Sequence, residues 1–431
     1  MKQKLKDFFS NKELVSAVLF TIFALIIYRI GSNIPVPGIN KATLTQIFSG
    51  QNMGLMELFN LFTGGSFQNF TVFALGVTPY ITASIVVQLL EVAFPYFENL
   101  QKEGEEGTKK KNRIMRWMAI GFAVLQGAGI TYGLVRQAMS SKTTLSFIMI
   151  IAILTAGTCF LMWLGDQINE YGIGNGASLI IFAGIISRLP SDFGRIQDAL
   201  KSKEIQIISA IILAVCAVLI IAWIIAVQQA DRKIPVRYGG QAVRSARGAL
   251  PRKKEYTFIP LKINQAGVIP IIFAISVLQF PQTIALFMQG SKFYNFCMKY
   301  LSGTNTGLAL WIYLLINAAL VIFFNYFYTS ITFKPDEIAK NLAQSGGTIM
   351  GVRPGKPTED YLRKSSMGLA LWGSIFLVLV STLPYVVSAY TKLNIRFGGT
   401  SLLIVTGVAF EVMTQLRSRM TMKKYSGFLS R

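Results

Sequence analysis

Residues 73–95 read FALGVTPYITASIVVQLLEVAFP, an apolar run broken only by a few polar side chains, one glycine and two prolines. Its length and apolar character suit the hydrocarbon core of a bilayer, which takes about 20 residues of helix. Pro79 lacks a backbone donor and is expected to interrupt the helix that contains it. Ala83 and Ser84 are small enough to let a neighbour approach, and Gln88 calls for a partner or a cavity rather than lipid. Val77, Ile81 and Ile85 recur at four-residue spacing and form one stripe. Such a stripe serves helix packing or lines a narrow aqueous path as a constriction that resists wetting.

Working outward, comparable spans occur at 14–34, 70–93, 114–135, 145–164, 176–189, 207–227, 267–287, 308–330, 367–390 and 401–415, ten in all. The fifth is barely long enough at about 1.5 Å per residue unless its polar start is also immersed. Residues 1–34 carry a basic start and an apolar run with no small-residue cleavage site, so they read as a retained first span rather than a signal peptide. With both termini in the cytoplasm, 30 of the 42 lysines and arginines fall on the cytoplasmic side, the orientation that the positive-inside rule favours. The net charge of +22 then follows largely from topology and attraction to anionic phospholipids, not from nucleic acid as a substrate.

The expected organisation is one all-α polytopic membrane domain. A cytoplasmic amino-terminal segment (1–13) leads into a first five-helix half (14–190), an external connection (191–206), a second five-helix half (207–416) and a cytoplasmic tail (417–431). Two basic loops, 230–263 and 331–366, lie on the same face. An odd number of spans per half would place the halves in opposite orientations. No identity between them is visible, so an inverted repeat rests on topology alone.

Several chemistries are disfavoured. The chain has no histidine, which removes His-containing zinc sites and Ser-His or Cys-His pairs. Cys159, Cys216 and Cys297 form no CxxC pair, and no GxxxxGK[ST] loop is present. No catalytic group, cofactor or metal is expected, and any energy must come from a partner or a gradient. Arg29, Glu91, Asp166 and Arg188 fall near span ends, where they can reach headgroups or loops. Glu411, towards the inner end of the tenth span, suits helix pairing or a gating contact.

The stretch before the second span, MGLMELFNLFTGGSFQNF (53–70), is apolar from 55 to 62 yet too short to cross. It fits a short re-entrant or interfacial helix, with Gly64 and Gly65 permitting a turn. NEYGIGNGASLIIFAGI opens the fifth span and spaces Ile181 and Ile185 four apart; LKINQAGVIPIIFAISVLQFP opens the seventh with Asn264 and Gln265 and sets Ile269 and Ile272 around Pro270.

Together, GVTPYITASIVVQLL (76–90), YGIGNGASLIIFAGI (171–185), IPVRYGGQ (234–241), IPLKINQAGVIPIIFA (259–274), GVRPGKPTEDYL (351–362) and FGGTSLLIV (397–405) resemble the SecY/Sec61-alpha family, the channel subunits of the general protein translocase, in its bacterial branch. The resemblance implies a clamshell of two pseudo-symmetric five-helix halves around an hourglass pore in a bacterial plasma membrane. It implies a narrow ring from Val77, Ile81, Ile181, Ile185, Ile269, Ile272 and Ile404. It implies a plug within 53–65, with Leu55, Met56, Leu58, Phe59, Leu61, Phe62, Gly64 and Gly65. A lateral gate would lie between spans 2 and 3 on one half and 7 and 8 on the other, in the region of Ile85, Gln88 and Asn264.

The implied partners are a SecE-like and a SecG-like membrane subunit, the SecA ATPase motor, the ribosome, and signal peptides and unfolded preproteins as cargo. Arg353 matches a basic position important in the family, and Arg244, Arg247, Arg252, Lys253 and Lys254 supply charge in the other loop. The return EYTFIPLK departs from the family's commoner GGQSTHIPLK-like wording and lacks its histidine, which leaves room for an accessory paralogue with a narrower substrate set. A secondary solute transporter is the rival of a different class. It would place a binding site at mid-membrane, where this chain has no convincing carboxylate.

Overall fold

The computed structural model describes residues 11–48, 60, 63–201, 207–238, 257–303, 307–391 and 399–429. In chain order the helices are α1 (Lys12–Gly31), α2 (Lys41–Phe48), α3 (Thr78–Ala93), α4 (Pro95–Lys102), α5 (Glu105–Ile130), α6 (Thr144–Tyr171), α7 (Gly176–Lys201) and α8 (Ile207–Gln229). They continue with α9 (Ile269–Ala285), α10 (Lys292–Tyr300), α11 (Leu308–Thr332), α12 (Pro335–Gln344), α13 (Lys356–Thr391) and α14 (Gly399–Leu429). Among the described residues, six helical stretches are long and apolar enough to cross a membrane: Lys12–Gly31, Glu105–Val135, Thr144–Tyr171, Ile269–Met288, Leu308–Gln344 and Lys356–Leu383. Shorter apolar helices at Thr78–Ala93, Gly176–Ser191 and Val215–Gln229 coincide with further expected spans. The molecule is a polytopic helical membrane protein, as helices satisfy their own backbone groups where water is absent.

The second span starts later than its hydropathy suggests. Residues 64–77 fold as turns on either side of a bridge between Thr71 and Pro35, and the helix begins at Thr78. Pro79 therefore lies in the first helical turn, where a missing N–H costs nothing, and does not interrupt a helix as expected from its place in the apolar run. The turns are satisfied within the protein. Val36 N–H donates to Phe70 O at 3.0 Å, Val72 N–H to Ile34 O at 3.0 Å, and Thr71 N–H to Ser66 O at 3.0 Å. Phe70, almost fully buried, holds a φ of 44°, the only positive φ outside glycine among the described residues.

The all-α expectation needs one addition. Strands β1 (Asp231–Tyr238), β2 (Thr257–Lys262) and β3 (Gly347–Ile349) form an antiparallel sheet in the order β2-β1-β3. The register sets Ile234 opposite Ile259 and Val236 opposite both Thr257 and Ile349. Ile234, Val236, Leu261 and Ile349 turn inward onto Leu342 of α12 and Leu362 and Leu369 of α13. The alternation in KIPVRY carries this signal, which a search tuned to 20-residue spans passes over. Arg244, Arg247, Arg252, Lys253 and Lys254 lie outside the described residues. Arg353 is exposed in the turn before α13.

The two halves do share sequence, contrary to expectation. GVTPYITASIVVQLL (76–90) and GVIPIIFAISVLQFP (267–281) agree at 7 of 15 positions, and GASLIIFAGI (176–185) and GTSLLIVTGV (399–408) at 5 of 10. The first pair adopts one local structure: Gly76 and Gly267 have φ of 57° and 63°, Val77 and Val268 cap α3 and α9, and Pro79 and Pro270 occupy the first turn. The likeness is confined to helix starts that face the interior. Lipid-facing positions need only be apolar and diverge freely.

Ile234→Ala should cost about 2–5 kcal/mol of local stability, the usual range for truncating a buried isoleucine. Limited proteolysis of the detergent-solubilised protein checks this. Cleavage within 231–262 should accelerate while the helical body stays resistant, and an unchanged rate would mean that the sheet is not held by this face.

Candidate functional site

The largest buried apolar cluster lies where α3, α7, α9 and α14 meet. Val77, Ile81 and Ile85 of the α3 segment, Ile181 and Ile185 of α7, Ile272 of α9 and Ile404 of α14 all belong to it, with exposures between 0% for Ile404 and 7% for Ile81. Ile269 is only half-buried and packs against its edge. Four separate stretches of sequence thus deliver aliphatic side chains to one place.

Local structure explains each delivery. Ile81 N–H bonds Val77 O at 3.0 Å, which starts α3 with both side chains on one face. α7 begins with Ser178 N–H bonded to Asn175 Oδ1 at 3.1 Å and Gly176 N–H to Asn169 Oδ1 at 2.8 Å. A Cβ on Gly176 would stand 2.0 Å from Gly165 O, so only glycine lets α7 leave α6 this closely. Asn264 Nδ2–H donates to Gly267 O at 3.0 Å, and Gln265 Oε1 accepts from Ser366 Oγ at 3.0 Å, so both side chains shape the approach to α9 from outside the helix. Gln88 is half-buried and donates through Nε2 to Ser84 Oγ at 3.1 Å. α3 packs directly on α9.

The segment ahead of α3 is fastened to this cluster. Leu55, Met56, Leu58, Phe59, Leu61 and Phe62 lie outside the described residues. Asn60 Nδ2–H reaches Gln68 Oε1 at 3.1 Å, and Tyr28 OH donates to Thr63 O at 3.3 Å. Gly64 and Gly65 follow with φ of 63° and 90°. A Cβ on Gly64 would lie 2.5 Å from Gly184 Cα, and Ser187 Oγ donates to Gly64 O at 3.3 Å. Tyr28, Gly184 and Ser187 were not singled out in the sequence. Gly184 itself, within the FAGI end of the fifth-span motif, is the one sign in the sequence of such a close approach.

Charged groups stand apart from the cluster. Arg116 pairs with Asp166 at 2.7 Å and Lys111 with Glu91 at 2.7 Å, each joining α5 to a neighbour. Glu411 is exposed on α14, one residue from Phe410, whose ring lies 5.7 Å from Lys262 Nζ.

A sequence model of the SecY family matches residues 71–413. The protein translocase subunit SecY of Staphylococcus aureus (strain NCTC 8325 / PS 47) is 39% identical over 442 residues, covering 99% of each chain. This chain belongs to the SecY family. Members of the family are channel subunits without catalytic chemistry. The fold agrees with two solved structures. One is a SecY protein whose plug domain stabilizes the closed state of the translocation channel and maintains a membrane seal, with a TM-score of 0.69, 19% identity and coverage of 94% of this chain and 92% of that one. The other is Sec61 in the canine ribosome-channel complex from the endoplasmic reticulum, with a TM-score of 0.62, 18% identity and the same coverages of 94% and 92%. At these identities the likeness speaks for the fold alone.

Gly64→Ala should destabilise the protein by at least about 1–2 kcal/mol, since it places a side chain at left-handed φ and drives it into Gly184. Gly65→Ala, with open space around its Cβ, should show the backbone part alone. The comparison is made by thermal midpoint in detergent. Equal midpoints for the two variants would remove Gly184 from the account.

Proposed function

We propose that this chain is the protein-conducting channel subunit of a Sec translocase, passing unfolded secretory polypeptides across a bacterial plasma membrane and releasing transmembrane segments sideways into lipid. The observation that carries the reading is the convergence of Val77, Ile81, Ile181, Ile185, Ile272 and Ile404 from four helices into one buried cluster. Aliphatic side chains make no sequence-specific hydrogen bonds, so one ring can close around any extended chain and dewet when empty. Polar segments stay in the aqueous path, whereas an apolar run of about 20 residues gains by moving into lipid. Sorting follows from partitioning and needs no bond-making site.

In this reading the ten spans form two five-helix halves, 14–190 and 207–416, hinged as a clamshell, and the repeated helix starts support it. Residues 53–65 serve as the plug, and the fastening of Thr63 to α1, Gly64 to α7 and Asn60 to Gln68 fits a segment held at its base. The lateral gate runs along the packed pair α3 and α9, near Ile85, Gln88 and Asn264. Both termini are cytoplasmic, which places 30 of 42 basic residues on that side. The loops 230–263 and 331–366 receive the SecA motor or the ribosome, with Arg353 exposed for that purpose. SecE-like and SecG-like subunits brace the bundle, and anionic phospholipids neutralise the remaining charge.

Ile81→Cys and Ile404→Cys should crosslink to a secretory precursor stalled midway across a reconstituted membrane. Efficient transport with neither position near the precursor would reject the ring. A clamshell that opens sideways needs restraint away from its gate, so the chain should also copurify with a small membrane subunit in mild detergent. Recovery of a translocation-competent preparation lacking any such subunit would refute that restraint.

A further inference from the structure

The internal repeats say more about the constriction than the single ring does. Val77 and Val268 are equivalent, both capping a helix with nearly the same backbone (φ −94°, ψ 5° and φ −94°, ψ −9°), and each stands four residues before Ile81 and Ile272. Ile181 and Ile185 of α7 correspond to Ile404 and Val408 of α14. Each helix therefore carries two aliphatic side chains one turn apart on one face.

Contacts fix how these pairs meet. Gly174 N–H, just before α7, donates to Gln415 Oε1 at 2.9 Å, and a Cβ on Gly174 would lie 3.1 Å from Val412 Cγ2. Both helices then continue into the same cluster, so they run antiparallel, bringing Ile181 level with Val408 and Ile185 level with Ile404. α3 runs antiparallel to α5, with Glu91 bonded to Lys111 at one end and Ala83 clustered with Ala119 towards the other. α5 runs parallel to α9, since Phe122 meets Phe280 while Gly129 and Gly133 meet Thr283 and Leu286. α3 and α9 are therefore antiparallel, and the repeat that exchanges Val77 with Val268 and Ile81 with Ile272 pairs Val77 with Ile272 and Ile81 with Val268.

One contact joins the two pairs. A Cβ on Gly407 would lie 2.7 Å from Val268 Cγ1, so Val268 abuts α14 at the turn that carries Val408. Val268 and Val408 are 8% and 2% exposed and belong to the same cluster as the ring, whereas Ile269, about 100° further round its helix, is half-buried at the edge.

We propose that Val268 and Val408 complete a second tier of the constriction, so that Val77, Ile185, Ile272 and Ile404 close one level and Ile81, Ile181, Val268 and Val408 close the next. The proposal rests on the channel function above. Without the two valines the second level has closing side chains from α3 and α7 only, and water could bridge the opposite side. With them, each level is closed from all four helices and the two levels are related by the repeat. The second level holds two valines against one in the first, so it is the wider of the two. Ile269 leaves the ring, and Val268 takes its place.

The test uses the full chain with its membrane partners in proteoliposomes, on a background with Cys159, Cys216 and Cys297 replaced. A precursor carrying one cysteine is stalled midway, and oxidative crosslinking is compared for Val268→Cys, Val408→Cys, Ile81→Cys, Ile181→Cys, Ile269→Cys and the outward-facing control Ile322→Cys. Val268 and Val408 should crosslink to about the same extent as Ile81 and Ile181, and several-fold above Ile269 and Ile322. Crosslinks at Ile81 and Ile181 with Val268 and Val408 at the control level would overturn the second tier and leave the channel intact. Active transport with no crosslink at Ile81 or Ile181 would instead overturn the channel reading of this cluster. As a second readout, Val268→Asn and Val408→Asn should each raise the resting anion leak several-fold, as a polar group in a dewetted level admits water. If Ile81→Asn raised the leak and neither valine variant did, the second tier would again be excluded.

Discussion

In hydrocarbon every backbone N–H and C=O must find its partner inside the protein, and residues 64–77 meet that constraint without being helical. Their N–H groups are taken up by one another's carbonyls, by Ile34 O and by Asn60 O, and the Thr63 carbonyl just ahead accepts from the Tyr28 hydroxyl. Because this stretch is satisfied, α3 can start partway along the bundle rather than at its edge. A helix start in that position points its first turn, Val77 to Ile81, into the interior. The same economy operates at α9, where Gly267 turns the chain and Asn264 holds the turn. The central cluster follows from where these two helices begin.

Cohesion around that cluster depends on close approach rather than on exclusion of water, since lipid tails are as apolar as the side chains themselves. Gly64 against Gly184, Gly176 against Gly165 and Gly407 against Val268 are among the positions where one backbone or side chain touches another with no Cβ between. Polar groups add a few specific ties. Asn325 Nδ2–H donates to Ala370 O at 2.8 Å and links α11 to α13. Outside the bundle the small sheet joins the strands that follow α8 to the strand that precedes α13, so these strands rest on one shared apolar base.

Much of this was legible in the residues. Hydropathy located the six helices long and apolar enough to cross a membrane among the described residues, and four-residue spacing selected Val77, Ile81, Ile181 and Ile185. What escaped was local in one case and relational in the others. Residues 70–77 are as apolar as a helix, and only the pairing of Val36 with Phe70 and Val72 with Ile34 reveals them as turns. The sheet rests on strands of three to eight residues whose partners lie more than a hundred positions apart in the case of β1 and β3. The shared helix starts become meaningful once Val77 and Val268 are seen to hold the same backbone angles.

The sequence by itself determined that the chain enters a membrane, how its charge is distributed along it, and which family it resembles, because hydropathy, charge and motif wording are properties of short segments read one at a time. Tertiary structure alone decided where α3 begins, which aliphatic residues gather in one cluster, and that Val268 packs against α14. Those are matters of relative height and rotation between helices, and they are set by close contacts such as Gly407 with Val268 that no single segment encodes.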